Sequence, residues 1–145
     1  MAIRDLMNNI HTVPLIVPVA ARTDNTAIVS AIIDTRGYES CTLVLVTGTN
    51  TDADATFTVL VEDGDASDLV ADGAAVADQY LLGTEALAGF TFADDNECRK
   101  IGYVGSKRYV RMTVTPAANA AGNIFLAGVA ILGHPALAPT ANPPA

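Results

Sequence analysis

The sequence predicts an all-β fold: a single-domain antiparallel β-sandwich or barrel, jelly-roll-like, with about eight strands and extended terminal arms. Three observations predict it. Runs rich in Val, Ile, Leu and Thr recur at intervals of about 10 to 16 residues. Clusters of Gly, Asp, Asn, Ser and Pro separate them, at the density of turns a sandwich or barrel needs. No strand–helix alternation and no internal repeat appears, which excludes a doubly wound parallel sheet.

Taken in order, residues 1–12 read as an N-terminal arm. Ile3, Leu6, Met7 and Ile10 fall at helical spacing, in a stretch too short to hold as an isolated helix. It is either an arm that orders on a partner or a short helix packed on its own domain. The β domain spans residues 13–133. Its first run, 13–21, carries Pro14 and Pro18, and a residue that cannot donate to a ladder belongs at a sheet edge. Residues 26–33 and 38–47 are the next two strands, parted by the turn Asp34-Thr35-Arg36-Gly37. Residues 56–62 alternate cleanly, with Phe57, Val59 and Val61 on one side.

Residues 63–79 are acidic, Ala-rich and mostly loop. Short strands are expected at 80–82 and 89–93. Residues 98–104 and 108–115 flank the turn Gly105-Ser106-Lys107 and read as a hairpin. The last strand, 123–132, is apolar at every side-chain position but its first, so it should be buried on both faces. The tail, 134–145, holds four of the seven prolines and should be extended and loosely held.

Composition narrows the function. Half of the residues are hydrophobic, only 17% are charged, and 6% are aromatic with no Trp. A core of small aliphatic side chains follows, and disorder throughout is excluded. The formal net charge of -8 repels phosphate backbones and anionic membranes, so neither nucleic acid nor membrane is an expected partner. Cys41 and Cys98 lie far apart in sequence and match no zinc spacing. Without an apolar signal core or any run near the ~20 residues a span needs, the chain is expected in the cytoplasm with reduced cysteines filling the core.

Catalytic signals are absent. The two histidines, His11 and His134, stand outside any motif, and no nucleophile elbow, zinc-protease helix, P-loop or dinucleotide loop occurs. The chain therefore reads as no enzyme and as needing no cofactor. The acidic stretch Glu62-Asp63-Gly64-Asp65-Ala66-Ser67-Asp68, with Asp72 beyond, could wrap a hard cation. Its spacing fails the EF-hand pattern, and a solvated loop is the simpler reading. Five of the eight basic residues lie within 99–111, whereas twelve of the sixteen acidic ones lie within 52–97. With the hairpin in place, Arg99, Lys100, Lys107 and Arg108 would gather at its turn end. There they would form either a docking patch for an acidic protein surface or ordinary solubilising charge. Exposed sheet edges are a second candidate for adhesion.

Several segments carry a family resemblance: 32–40 (IIDTRGYES), 52–65 (DADATFTVLVEDGD), 92–116 (FADDNECRKIGYVGSKRYVRMTVTP) and the closing GVAILGHP at 128–135. Together, across about residues 12–135, they resemble a family of small virion proteins of tailed bacteriophages, typically encoded beside the major capsid protein. What the resemblance implies is capsid decoration, or cement: a homotrimer seated on the outside of the shell, with the major capsid protein as partner. The implied location is the capsid exterior, after host cytoplasm before assembly. The arm residues Ile3, Leu6, Met7 and Ile10 and the basic residues Arg99, Lys100, Lys107 and Arg108 are the candidate contacts. Competing readings are another virion part (neck, head-completion or minor tail protein) and a carbohydrate-binding β-sandwich used in host adsorption, for which the aromatic supply is thin.

Overall fold

The alternation in the sequence becomes the inner and outer faces of two antiparallel sheets in the computed structural model of the chain, which describes residues 4–144. The first sheet has five strands in the order β1 (Ile10–Ile16), β11 (Leu126–Pro135), β4 (Tyr38–Thr47), β9 (Cys98–Tyr103) and β7 (Leu81–Leu82). The second is built on the long pair β10 (Tyr109–Ala117) and β5 (Thr56–Gly64). The two-residue strands β2 (Ile28–Val29) and β3 (Ile33–Asp34) flank β10, and β6 (Ala74–Ala75) and β8 (Phe90–Thr91) flank β5. The all-β sandwich is as expected, with eleven strands where about eight were expected. Residues 26–33 account for part of the excess. Ser30 is buried there and its hydroxyl takes the Met112 amide at 3.0 Å, so a side chain interrupts the edge strand and leaves β2 and β3 on either side.

Period-two burial explains the interior. Strand β4 turns Cys41, Leu43 and Leu45 inward, β5 turns Phe57, Val59 and Val61, and β10 turns Val110, Met112 and Val114. Ile101, Leu126, Ala130 and Leu132 complete the contact from the five-stranded sheet. Phe57 and Phe90 stack with centroids 4.6 Å apart. Burying a large aliphatic or aromatic side chain stabilises by roughly 1.5–3 kcal/mol, so this shared interior dominates the energetics. Between Leu82 and Phe90 the chain makes one helical turn, α1 (Glu85–Ala88), capped by the Thr84 hydroxyl on the Leu87 amide at 3.1 Å. Glu85 holds it on β5 by accepting the Val61 amide at 2.6 Å.

Three expectations are corrected. First, 98–104 and 108–115 are no hairpin: β9 pairs with β4 and β7, β10 with β5, β2 and β3, so residues 104–108 cross from one sheet to the other. Alternation and a turn signal are the same for both connections. Tyr103 settles the crossing, because its hydroxyl donates to Asp63 at 2.6 Å and accepts the Lys107 amide at 3.0 Å. Second, β11 is buried on one face only. Leu126, Gly128, Ala130 and Leu132 are inside, whereas Ala127, Val129 and Ile131 face outward and are partly exposed. Third, the tail is tied down. Ala136 N donates to Gly37 O at 2.8 Å, Thr140 N to Asn8 O at 3.0 Å, and the Thr140 hydroxyl to Ile10 O at 2.5 Å. Ile10 and His134 both lie within strands, inside the stretches read as arm and tail.

Candidate functional site

Of the candidate contact residues, Ile3 lies outside the described residues. Leu6 and Met7 are exposed at a 3₁₀ turn (Met7–Asn9), and Ile10 opens β1. The four basic residues do not gather. Arg99 and Lys100 stand near the start of β9, and Lys107 and Arg108 follow its far end, beyond about 13 Å of strand. Three of them are neutralised locally. Arg99 reaches Asp94 at 3.0 Å and Glu97 at 2.7 Å, Lys107 reaches Asp65 at 2.5 Å, and Arg108 clasps Asp34 through two bonds of 2.9 and 2.7 Å. The Arg108 fork holds the Asp34 carboxyl below the usual carboxylate range, and the Lys107 ammonium does the same to Asp65. Lys100 has no ion-pair partner among the described residues.

That lysine stands on a surface with little other polarity. The registers place Thr12, Ile131, Thr42, Gly102 and Leu82 in one row across the outer face of the five-stranded sheet. Pro14, Val129, Val44 and Lys100 form a second row, and Ala127, Val46 and Cys98 a third. Residues directly opposite on an antiparallel pair share a face, so these rows form one continuous surface. Leu82 is 62% exposed, Val46 42% and Val129 36%. Gly102 fits the row because a Cβ there would come within 3.0 Å of Leu82 Cβ, so glycine lets the leucine lie flat across β9. Lys100 is the one charged residue in these rows. Cys98 is an exposed thiol beside it, whereas burial pushes the Cys41 thiol up to about 12.

The outer face of the other sheet has a different chemistry. Thr56, Thr58, Leu60 and Glu62 of β5 lie beside Thr115, Thr113 and Arg111 of β10. Arg111 and Glu62, directly opposite, pair at 2.9 Å. The sheet edges offer little for strand addition. Four flanking strands of the second sheet and β7 of the first have two residues each, and β1 carries Pro14 with the tail fastened at its start. Short and proline-marked edges resist pairing with another chain.

The remaining motifs have structural roles. Asp72 accepts the amides of Asp65 and Ala66, at 2.6 and 3.1 Å, and Asp68 accepts that of Val70 at 3.0 Å, so the acidic loop is shaped by its own carboxylates. Among the described residues no group of three or more His, Cys, Asp or Glu could hold a metal ion. His11 stacks on Tyr38 at 5.6 Å, and His134 Nδ1 lies 3.0 Å from the Ser40 hydroxyl. Sequence reasoning read 123–132 as buried on both faces, which put Val129 and Ile131 inside, and assigned no face to Val44 or Val46. Their signal was present: 43–46 and 124–132 are apolar at consecutive positions, hence on both faces of a strand.

No family model matches the sequence, and no curated protein is similar to it in sequence. Likeness is found in solved structures. The SPBc2 prophage-derived protein YomS superposes with a TM-score of 0.43 at 11% identity, over 85% of this chain and 93% of that one. The xylan-binding module CBM15 gives 0.42 at 10% identity, over 92% and 95%. A protein of infectious bursal disease virus, Gx strain, gives 0.43 at 9%, where this chain spans 35% of the other. A phage-derived protein and a carbohydrate-binding module are thus about equally similar to this chain. Neither likeness carries a functional argument.

Proposed function

We propose that the chain is a structural protein of a phage head that binds the outside of the assembled major-capsid shell through the outer face of its five-stranded sheet. The carrying observation is that face: Leu82, Val44, Val46, Val129, Ile131 and Pro14 share it with two threonines and a single charge, on a domain whose opposite face sets four threonines and an ion pair around Leu60 and Val29. Contiguous exposed apolar surface marks interaction sites. The resemblance of residues 32–40, 52–65, 92–116 and 128–135 to small tailed-phage virion proteins supports the setting.

The size of the face suits an array better than a lone complex. Five strands at ~4.8 Å spacing and three rows of outward residues cover on the order of 400 Å², about half of the ~800 Å² per partner in a standard stable interface. One such contact is weak. Many copies on a closed lattice add through effective concentration, and a ligand that binds the assembled shell but not its free subunits stabilises the shell by mass action.

Co-sedimentation of the purified chain with shells assembled from a tailed-phage major capsid protein tests the reading. Binding in proportion to shell subunits, with a rise in the shell's melting temperature, is the expected result. A handful of copies per particle would make it a neck or tail part, and no binding would reject the assignment.

A further inference from the structure

We propose that the outer face of the five-stranded sheet docks a segment of a different protein that carries an apolar side chain and, close to it, a carboxylate. This deepens the shell-binding reading and rests on it for the place of docking; the chemistry of the partner is new. Lys100 decides the charge. It stands in the row Pro14–Val129–Val44–Lys100 with no ion-pair partner among the described residues, whereas Arg99, Lys107, Arg108 and Arg111 all have one. Covering the face takes the ammonium out of water, and a desolvated charge is tolerated only with a counter-charge.

The apolar side chain has a place to go. Leu6 and Ile10 line, with Thr42, Ile131, Asp5 and His134, a groove of about 450 Å³. Thr42 and Ile131 also belong to the first row of the face, so groove and face are one surface. A Leu, Met or Phe of a docked segment fits that volume, which lies in the range of small-ligand clefts.

A second copy is a poor occupant. In a two-fold pairing the same patch meets itself, and the carboxylate beside the rows, Asp5 in the groove, already accepts two hydrogen bonds from Asn8. Two bodies of net charge -8 also repel at long range.

Binding of Lys100 variants to the same shells tests the inference. Lys100 is exposed, so the variants should fold, which circular dichroism and melting confirm. Lys100→Glu is expected to weaken binding by about thirtyfold or more, the effect of opposing like charges in an interface. Lys100→Met, which keeps the apolar stem, should lose less and should flatten the salt dependence seen with the wild type. Leu60→Asp, on the opposite sheet face, should bind as the wild type does. Wild-type binding by Lys100→Glu, or unchanged salt dependence in Lys100→Met, overturns the inference and leaves shell binding standing. No binding of the wild-type chain overturns both. Self-association in the ultracentrifuge that Lys100→Glu abolishes makes the occupant a second copy and overturns the choice of partner.

Discussion

The two sheets turn equivalent faces inward and very different faces outward. Inside, Leu43 and Leu45 from one meet Val61 and Met112 from the other, all at or near full burial. Outside, the β10–β5 pair presents four threonines and the Arg111–Glu62 pair at 2.9 Å around Leu60. The β11–β4 pair presents Val129 opposite Val44 and Ile131 opposite Thr42. The inner set is dictated by folding, since any strand of the sandwich must bury one face. The outer set is free of that demand, so its departure from the polar norm is where function is written.

That contrast can be broken or sharpened by substitution, starting with the interior common to both faces. Phe57→Ala removes a ring stacked on Phe90 and should cost about 3–5 kcal/mol in denaturant unfolding, with shell binding lost along with the fold. Val129→Asp separates folding from docking. Its outward side chain should leave unfolding within about 1 kcal/mol of wild type while binding to shells falls roughly thirtyfold, the effect of losing a central contact. A wild-type affinity would erase the distinction between the faces. Tyr103→Phe acts on neither face but on the corner that joins the sheets. Loss of its bonds to Asp63 and Lys107 N should cost about 1–2 kcal/mol, read as a lower melting temperature with binding intact.

Acid gives the smallest effect. The Arg108 fork lowers the Asp34 pKa, so the pair's stabilisation is fully present above the ordinary Asp value and is lost as pH falls through the lowered, folded-state value. Both side chains are more than a third exposed, and solvent screening keeps the pair's contribution small. Asp34→Asn should therefore flatten the fall in melting temperature below about pH 4 and change little at neutrality.

Much of the fold was legible because alternation is a local signal. Strand β4 matches its expected span, 38–47, and β5 and β10 are recognisable from their alternating residues alone. What connects to what was less legible. Residues 104–108 look the same whether the chain doubles back or crosses between sheets, and a long-range bond, Tyr103 to Asp63, decides. Charge misled for a related reason. Basic residues close in sequence are spread along β9 and beyond it, and most meet carboxylates from distant segments such as Asp34 and Asp65. The outer face was hidden by an ambiguity in strand β11, since a strand apolar on both sides is buried twice only if something covers it. In the third row Val46 and Cys98 stay exposed.

Cys98 provides the most direct test, because it lies in that row opposite Val46 and is exposed, while Cys41 is buried with its thiol pushed up to about 12. Alkylation of the free chain should modify Cys98 alone under native conditions, since the thiolate is the reactive form. On saturated shells its labelling should slow at least about tenfold, while a cysteine placed at Leu60 in a Cys98→Ser background stays as reactive as in the free chain. Equal labelling of Cys98 in free and shell-bound protein, or protection of residue 60 instead, would contradict docking through the five-stranded sheet.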